Sequence, residues 1–399
     1  MKNRLLHTPE GVRDIYGREL ERKELLENKL KSLIKSYGYK EIETPTFEYF
    51  DIFSKDTGIT SSREVFKFFD RENNTLALRP DFTPGVARAA VKYFFEDDAP
   101  KRLCYLGKTF SNHSGLQGKL KEVTELGLEY LGEPSADADA EMINIAVELL
   151  KKAGLTDFQI CVGNAEYFKG LCEGAGLDAD TVAGLSENIR NKNYFGTLDA
   201  LNDVDAPDSI KNTLRSFPDF FGNIDILDEA QKKVKGIKKS EEAVKRLKEL
   251  YERLKAYGVQ DYITFDLGML SKHDYYTGVI FRAYTFGTGD AIIRGGRYDK
   301  LLSNFGRDRA AVGFTLIIDQ LLSTLKRQNI EGEAGKEEAC IYYDSVSFGA
   351  ALKKARELRE KGILTAMTRL EKEGDPSGFH KGDGKSLIVY YSEGKEIKY

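Results

Sequence analysis

The stretch "LCYLGKTFSNHSGLQGKLKEVTELGLEYLG" at residues 103–132 constrains the fold more than any other. Residues 102–110 and 120–131 read as an antiparallel pair of strands around a polar loop. In the second strand Glu125, Gly127 and Glu129 recur at intervals of two, so they share one face. A glycine between two carboxylates on one face describes the floor of a pocket. The polar loop before it contains no arginine. Two questions follow: what the pocket holds, and whether it does chemistry.

The rest of the chain sets bounds on the answer. With 399 residues there is room for two or three domains. No apolar run approaches the ~18 residues of a membrane span, and the opening "MKNRLLHTPEGVRDIYG" lacks an apolar signal core. Cys104, Cys161, Cys172 and Cys340 are scattered, with no CxxC, and only four histidines occur. No metal site is expected from that set, and the thiols fit a reducing cytoplasm. Net charge is −4, which argues against a polyanion-gripping protein. The densest basic run, residues 231–250, continues as an amphipathic helix with Ser240 as its expected N-cap.

Residues 17–37 read as a long amphipathic helix, followed by a strand whose edge or end Pro45 marks. In "LRPDFTPG" (78–85) a turn leads into a helix, with Asp81 and Thr83 aimed similarly and Pro84 in the first turn. Residues 275–286 read as a strand with Tyr275 and Tyr276 on opposite faces. "GGRYDKLL" (295–302) allows close backbone approach, and 168–256 reads as an inserted helical subdomain. The expected domains are residues 1–325, a linker at 326–338 and a small α/β module at 339–399. "GDPSGFHKGDGKS" (374–386) has the wrong spacing for a phosphate loop and reads as a surface loop.

The quoted segments resemble, in order, the catalytic domain of histidyl-tRNA synthetase, a class II synthetase. "TPEGVRDIYG", "LRPDFTPGVARAA", "FSNHSGLQGKLKEVTELGLEYLG", "DYYTGVIFRAY", "GGRYDKLL" and "AVGFTLIIDQL" carry the resemblance. It implies an α+β fold, with an antiparallel sheet flanked by helices, and a dimer built through the first class motif. It also implies a histidine pocket. Asp81 and Thr83 would meet the α-amino group, Glu125 and Glu129 would line the site with Glu129 at the imidazole, and Tyr275 and Tyr276 would close it. Glu125 stands where the family has glutamine. Three family arginines that serve ATP are absent, their positions being Ser111, Ser271 and Gln320. Loss of one such donor typically removes about 2.7–4 kcal/mol of transition-state stabilisation. Lys108, Lys119, Lys121 and Lys272 are the nearby candidates for compensation, but a lysine does not replace a bidentate guanidinium.

A synthetase-like chain without these arginines resembles the regulatory subunits of ATP phosphoribosyltransferase, most closely in "FDLGMLSKHDYYTGVIFRAY" and "AAVGFTLIIDQLL". That resemblance implies a non-catalytic cytoplasmic subunit of histidine biosynthesis, with no cofactor. It implies a short catalytic partner, a hetero-octamer, and histidine as effector, with no nucleic acid bound. An active synthetase with unusual residues and a free-standing amino-acid sensor are the alternatives. With Ser271 in place of arginine, the ligand's carboxylate has no obvious partner in the sequence.

Overall fold

The computed structural model describes residues 6–54, 62–96, 98–113, 119–271, 275–330, 332, 338–370, 387–392 and 395–397. The 374–386 segment, Lys272 and most of the expected linker lie outside the described residues. The chain forms two compact units, residues 1–15 with 26–331, and residues 16–25 with 332–399.

In chain order the elements of the first part are α1 (Gly17–Ser36), β1 (Lys40–Glu41), β2 (Phe47–Tyr49), β3 (Lys67–Phe69), β4 (Thr75–Leu78) and α2 (Thr83–Tyr93). Then come β5 (Lys101–Phe110), β6 (Glu122–Leu131), α3 (Ala136–Ala153) and β7 (Phe158–Asn164). A helical stretch follows: α4 (Ala165–Gly174), α5 (Ala179–Arg190), α6 (Tyr194–Asp203), α7 (Asp208–Arg215), the short β8 (Phe221–Gly222), α8 (Ile226–Lys233) and α9 (Lys238–Ala256). The sheet resumes with β9 (Ile263–Asp266), β10 (Val279–Thr285), β11 (Ile293–Arg297) and β12 (Ala311–Ile317), which runs into α10 (Ile318–Arg327).

Nine strands make the main sheet, in the order β1-β5-β6-β12-β11-β10-β7-β9-β8. The central pairs β5–β6, β6–β12, β12–β11, β11–β10 and β10–β7 are all antiparallel. Alternation along each strand separates the two faces. Leu126, Leu128, Phe314, Leu316, Phe281, Ala283, Ile160 and Val162 point to the back and are buried with Ile143, Val147 and Leu150 of α3. Burying each larger side chain contributes about 1.5–3 kcal/mol. The helices α4 to α9 join the same core through residues such as Leu171, Leu214, Leu227, Leu247 and Leu254.

One buried ion cluster ties these layers together. Asp139, in the first turn of α3, is wholly buried. Arg297 of β11 donates to its Oδ1 from Nε at 2.8 Å, and Arg246 of α9 donates to its Oδ2 from Nε at 2.9 Å. Arg297 also donates to the carbonyls of Glu133 and Ser135. Helix α3 ends on Gly154 at φ 103°, a left-handed cap that favours glycine.

Two expectations differ in detail. Helix α9 starts at Lys238, and Ser240 is not its cap; the buried Ser240 hydroxyl donates to the Tyr167 carbonyl of α4 at 2.8 Å. Strand β10 starts at Val279, so Tyr275 and Tyr276 precede it, and their rings meet at 4.7 Å instead of facing apart across a strand. A separate three-stranded sheet, β2-β4-β3, leaves Phe47, Tyr49 and Phe69 at 50%, 57% and 69% exposed.

In the second unit β13 (Glu338–Tyr343) pairs in parallel with β14 (Leu364–Arg369) and β15 (Leu387–Ser392), and β15 pairs with β16 (Lys395–Ile397). Helix α11 (Phe348–Glu360) covers this sheet through Ala351, Ala355 and Leu358.

Candidate functional site

At the centre of the main sheet's front face glycines alternate with large buried side chains. Register places Tyr105, Gly127 and Thr315 side by side across β5, β6 and β12, and Leu103, Glu129 and Gly313 in the neighbouring row. Gly313 in turn pairs with Gly296 of β11. These glycines make room rather than turns. A Cβ at Gly313 would collide with the Glu129 carboxylate, and one at Gly127 with the Tyr105 ring. A Cβ at Gly296 would lie 2.7 Å from the Tyr276 ring. The floor is therefore backbone, and the walls lean over it.

Glu129 is the buried centre, 1% exposed. Tyr298 donates a short hydrogen bond to its Oε2, Tyr105 donates to Oε1 at 3.4 Å, and Thr83 hydrogen-bonds it as well. Burial still pushes its carboxyl up to about 8, because these donors only partly offset desolvation. Glu125 is half-buried. Burial, then the nearby Asp81 charge, also push it up to about 8, against a Thr109 hydrogen bond and the Arg294 and Arg79 charges. Asp81 Oδ1 accepts from the Thr83 N–H at 2.9 Å, which starts α2, and its Oδ2 accepts from the Tyr275 hydroxyl at 3.1 Å. The aromatic wall continues from Tyr275 to Tyr298 at 5.8 Å. On the other side Phe82 stacks on Tyr105 at 4.2 Å, with the Arg79 guanidinium 3.9 Å above Phe82.

The structure thus brings Asp81, Thr83, Glu125, Glu129, Tyr275 and Tyr276 to one cleft. Sequence reasoning missed Tyr105, Tyr298 and Thr315, whose hydroxyls complete the network around Glu129. Tyr105 was within reach, since it pairs with Gly127 across the recognised hairpin. Among the described residues no group of His, Cys, Asp and Glu is arranged to hold a metal ion.

The positions of the absent arginines are occupied by small or neutral side chains. Ser111 follows β5 and donates its backbone N–H to the Lys121 carbonyl at 2.8 Å. Gln320, in the first turn of α10, donates to the Asp290 carbonyl at 2.7 Å. Ser271 follows Leu270 in the coil after β9. Two of the four lysines expected as substitutes are engaged, Lys108 with Glu122 at 2.8 Å and Lys119 with Asp290 at 3.3 Å. Asp290 also holds Arg294 at 2.8 Å. A second cleft of about 290 Å³ opens between α5, α6, α7 and the end of β9, lined by Lys192, Tyr194, Phe217, Phe221 and Asp266 among others.

A mixed α and β fold around an antiparallel sheet, with a carboxylate pocket on its open face, defines a class II synthetase-like protein, and residues 11–321 match the family model of histidyl-tRNA synthetase. The chain is 35% identical over 358 residues to the ATP phosphoribosyltransferase regulatory subunit of Acetivibrio thermocellus, covering 90% of this chain and 85% of that one. It is 34% identical to that of Clostridium kluyveri, over 98% and 100% of the two chains. A crystal structure described as an ATP phosphoribosyltransferase regulatory subunit/histidyl-tRNA synthetase from Bacillus halodurans superposes with a TM-score of 0.87 at 29% identity, over 97% and 99% of the chains. The chain belongs to the ATP phosphoribosyltransferase regulatory subunit family.

Proposed function

We propose that this chain is a non-catalytic subunit that binds histidine on the open face of its sheet and passes that signal to a short ATP phosphoribosyltransferase catalytic subunit. The observation that carries the reading is the contrast between the two halves of the cleft. The amino-acid half keeps a buried acceptor, Glu129, ringed by donors. A carboxyl held by donors on both oxygens still has a lone pair to offer, which an imidazole N–H uses and an apolar isostere does not. In the other half a triphosphate would need uncommitted cations. There Lys108, Lys119 and Arg294 are matched to Glu122 and Asp290, and neutral Ser111 and Gln320 stand at arginine positions.

In this reading the α-ammonium sits at Asp81 and Thr83 and the imidazole at Glu129 and Tyr276. Regulation is a coupling free energy: histidine binds one arrangement of the complex better and shifts the population towards it. Self-association uses the exposed aromatic face of β2-β4-β3, and the complete assembly is a cytoplasmic hetero-octamer. The test is to mix the purified chain with a short catalytic subunit. A complex with raised activity that histidine inhibits supports the reading. Absence of a complex overturns it. ATP–pyrophosphate exchange by the chain alone with histidine would instead establish an active synthetase.

A further inference from the structure

The pocket described above lacks an obvious cation for the ligand's carboxylate, since the position that would supply it is Ser271. The register of the sheet offers another. The row that begins Tyr105, Gly127, Thr315 continues on the same face to Arg294 of β11 and Arg282 of β10, which are direct cross-strand partners. Directly opposed residues hold their Cβ atoms about 4.5–5.5 Å apart, and like charges there repel. Arg294 is exposed and its charge is answered by Asp290 at 2.8 Å, whereas Arg282 is partly buried beside it. An anion above Arg282 would offset the charge that remains.

The anchoring of Arg282 adds a second, independent observation. Its Nη2 donates to the Leu270 carbonyl at 2.9 Å, and it forms no ion pair among the described residues. Leu270 is the residue immediately before Ser271. A guanidinium from the neighbouring strand is therefore delivered to the segment where the missing arginine would have started. Burial pushes the Tyr276 hydroxyl and the Glu125 carboxyl up, and the Arg282 and Arg294 charges respectively oppose that push as lesser contributions, which places both arginines near pocket residues. Arg294 is itself shared with Asp290, whereas Arg282 acts on Asp266 through its charge, without an ion pair between them among the described residues.

We propose that Arg282 binds the α-carboxylate of the amino acid held by the Asp81–Glu129 pocket, replacing the arginine absent at Ser271. This rests on the reading of the cleft as an amino-acid site. Arg282 is then a specificity residue: it selects amino acids over the corresponding amines, while Asp81 and Glu129 read groups that both share.

The experiment is calorimetric titration of the full chain with L-histidine and with histamine, which has the imidazole and amine but no carboxylate. Wild-type protein is expected to prefer histidine. Arg282→Ala should weaken histidine about tenfold to a hundredfold, the loss of a charge-assisted hydrogen bond, and leave histamine unchanged. Arg282→Lys should fall between them. Ser271→Arg placed in the Arg282→Ala background should restore the preference. An equal loss of both ligands in Arg282→Ala assigns it a structural role and overturns the proposal, as does an unchanged preference. Binding of neither ligand to wild-type protein overturns the amino-acid pocket itself.

Discussion

Glu129→Gln separates what Glu129 does for the ligand from what it does to the fold. The wild-type carboxyl rises from an ordinary 4.5 to about 8 on folding, because it is buried. A raised carboxyl binds its proton more tightly in the folded state, so its contribution is intact below pH ~4.5 and is lost as pH rises towards ~8. Fully ionised, the difference corresponds to about 5 kcal/mol, an upper figure because Glu125 ionises in the same range and shares the penalty. Glutamine keeps an acceptor for Tyr298 and cannot ionise. Below pH ~4.5 the variant should be slightly less stable, by about 1 kcal/mol for a weakened hydrogen bond, and the two should cross near pH ~5. At pH 8.5 it should be more stable than wild type by up to a few kcal/mol, while histidine binding is lost. The chain has no tryptophan and 21 tyrosines, so tyrosine fluorescence in urea follows unfolding. A difference between variant and wild type that does not change with pH would refute the argument that ionisation burdens Glu129.

Three further outcomes are expected. Asp139→Ala leaves the buried Arg297 with only the 3.2 Å contact to Asp299 and should lower unfolding stability by about 3 kcal/mol, read from urea midpoints; a loss under 1 kcal/mol would mean the cluster is not a brace. Gly313→Ala puts a methyl group against Glu129, so histidine titration should show at least a tenfold loss of affinity, equal to about 1.4 kcal/mol, with circular dichroism little changed. Tyr49→Glu places a charge on the face of β2-β4-β3 where Tyr49 and Phe68 both pair with Leu76, and light scattering should show dissociation of the self-associated form; an unchanged mass would move that interface elsewhere.

The hairpin of β5 and β6 was legible because its signals are local. One turn, one polar loop and a two-residue spacing place Glu125, Gly127 and Glu129 together before any tertiary structure is known. Asp81 and Thr83 were legible in the same way, as a turn feeding a helix with proline in its first turn. Tyr298 was not, because its partner Glu129 lies 169 residues away and only the order of strands brings them together. Arg282 was hidden for the same reason: its relation to Leu270 depends on where β10 begins. The tyrosine pair misled because strand alternation was extended back past Val279, where the chain has already left the sheet. Ser240 misled because serine before two glutamates mimics a cap, whereas its hydroxyl belongs to the packing of α9 on α4.

The shared carboxylate of Asp139 also determines where this protein is free to move. Helix α9 and strand β11 each lend it one arginine, from opposite sides. If α9 swung outward, Arg246 would leave and a wholly enclosed anion would keep half its neutralisation. A swinging lid hinged at that joint is therefore unfavourable, and α9 travels with the sheet as one rigid body. A ligand arriving on the front face must act through parts not bolted in this way, such as the turn carrying Asp81 and the tyrosine pair ahead of β10. Those segments touch the pocket directly, and their repositioning requires no buried charge to be uncovered.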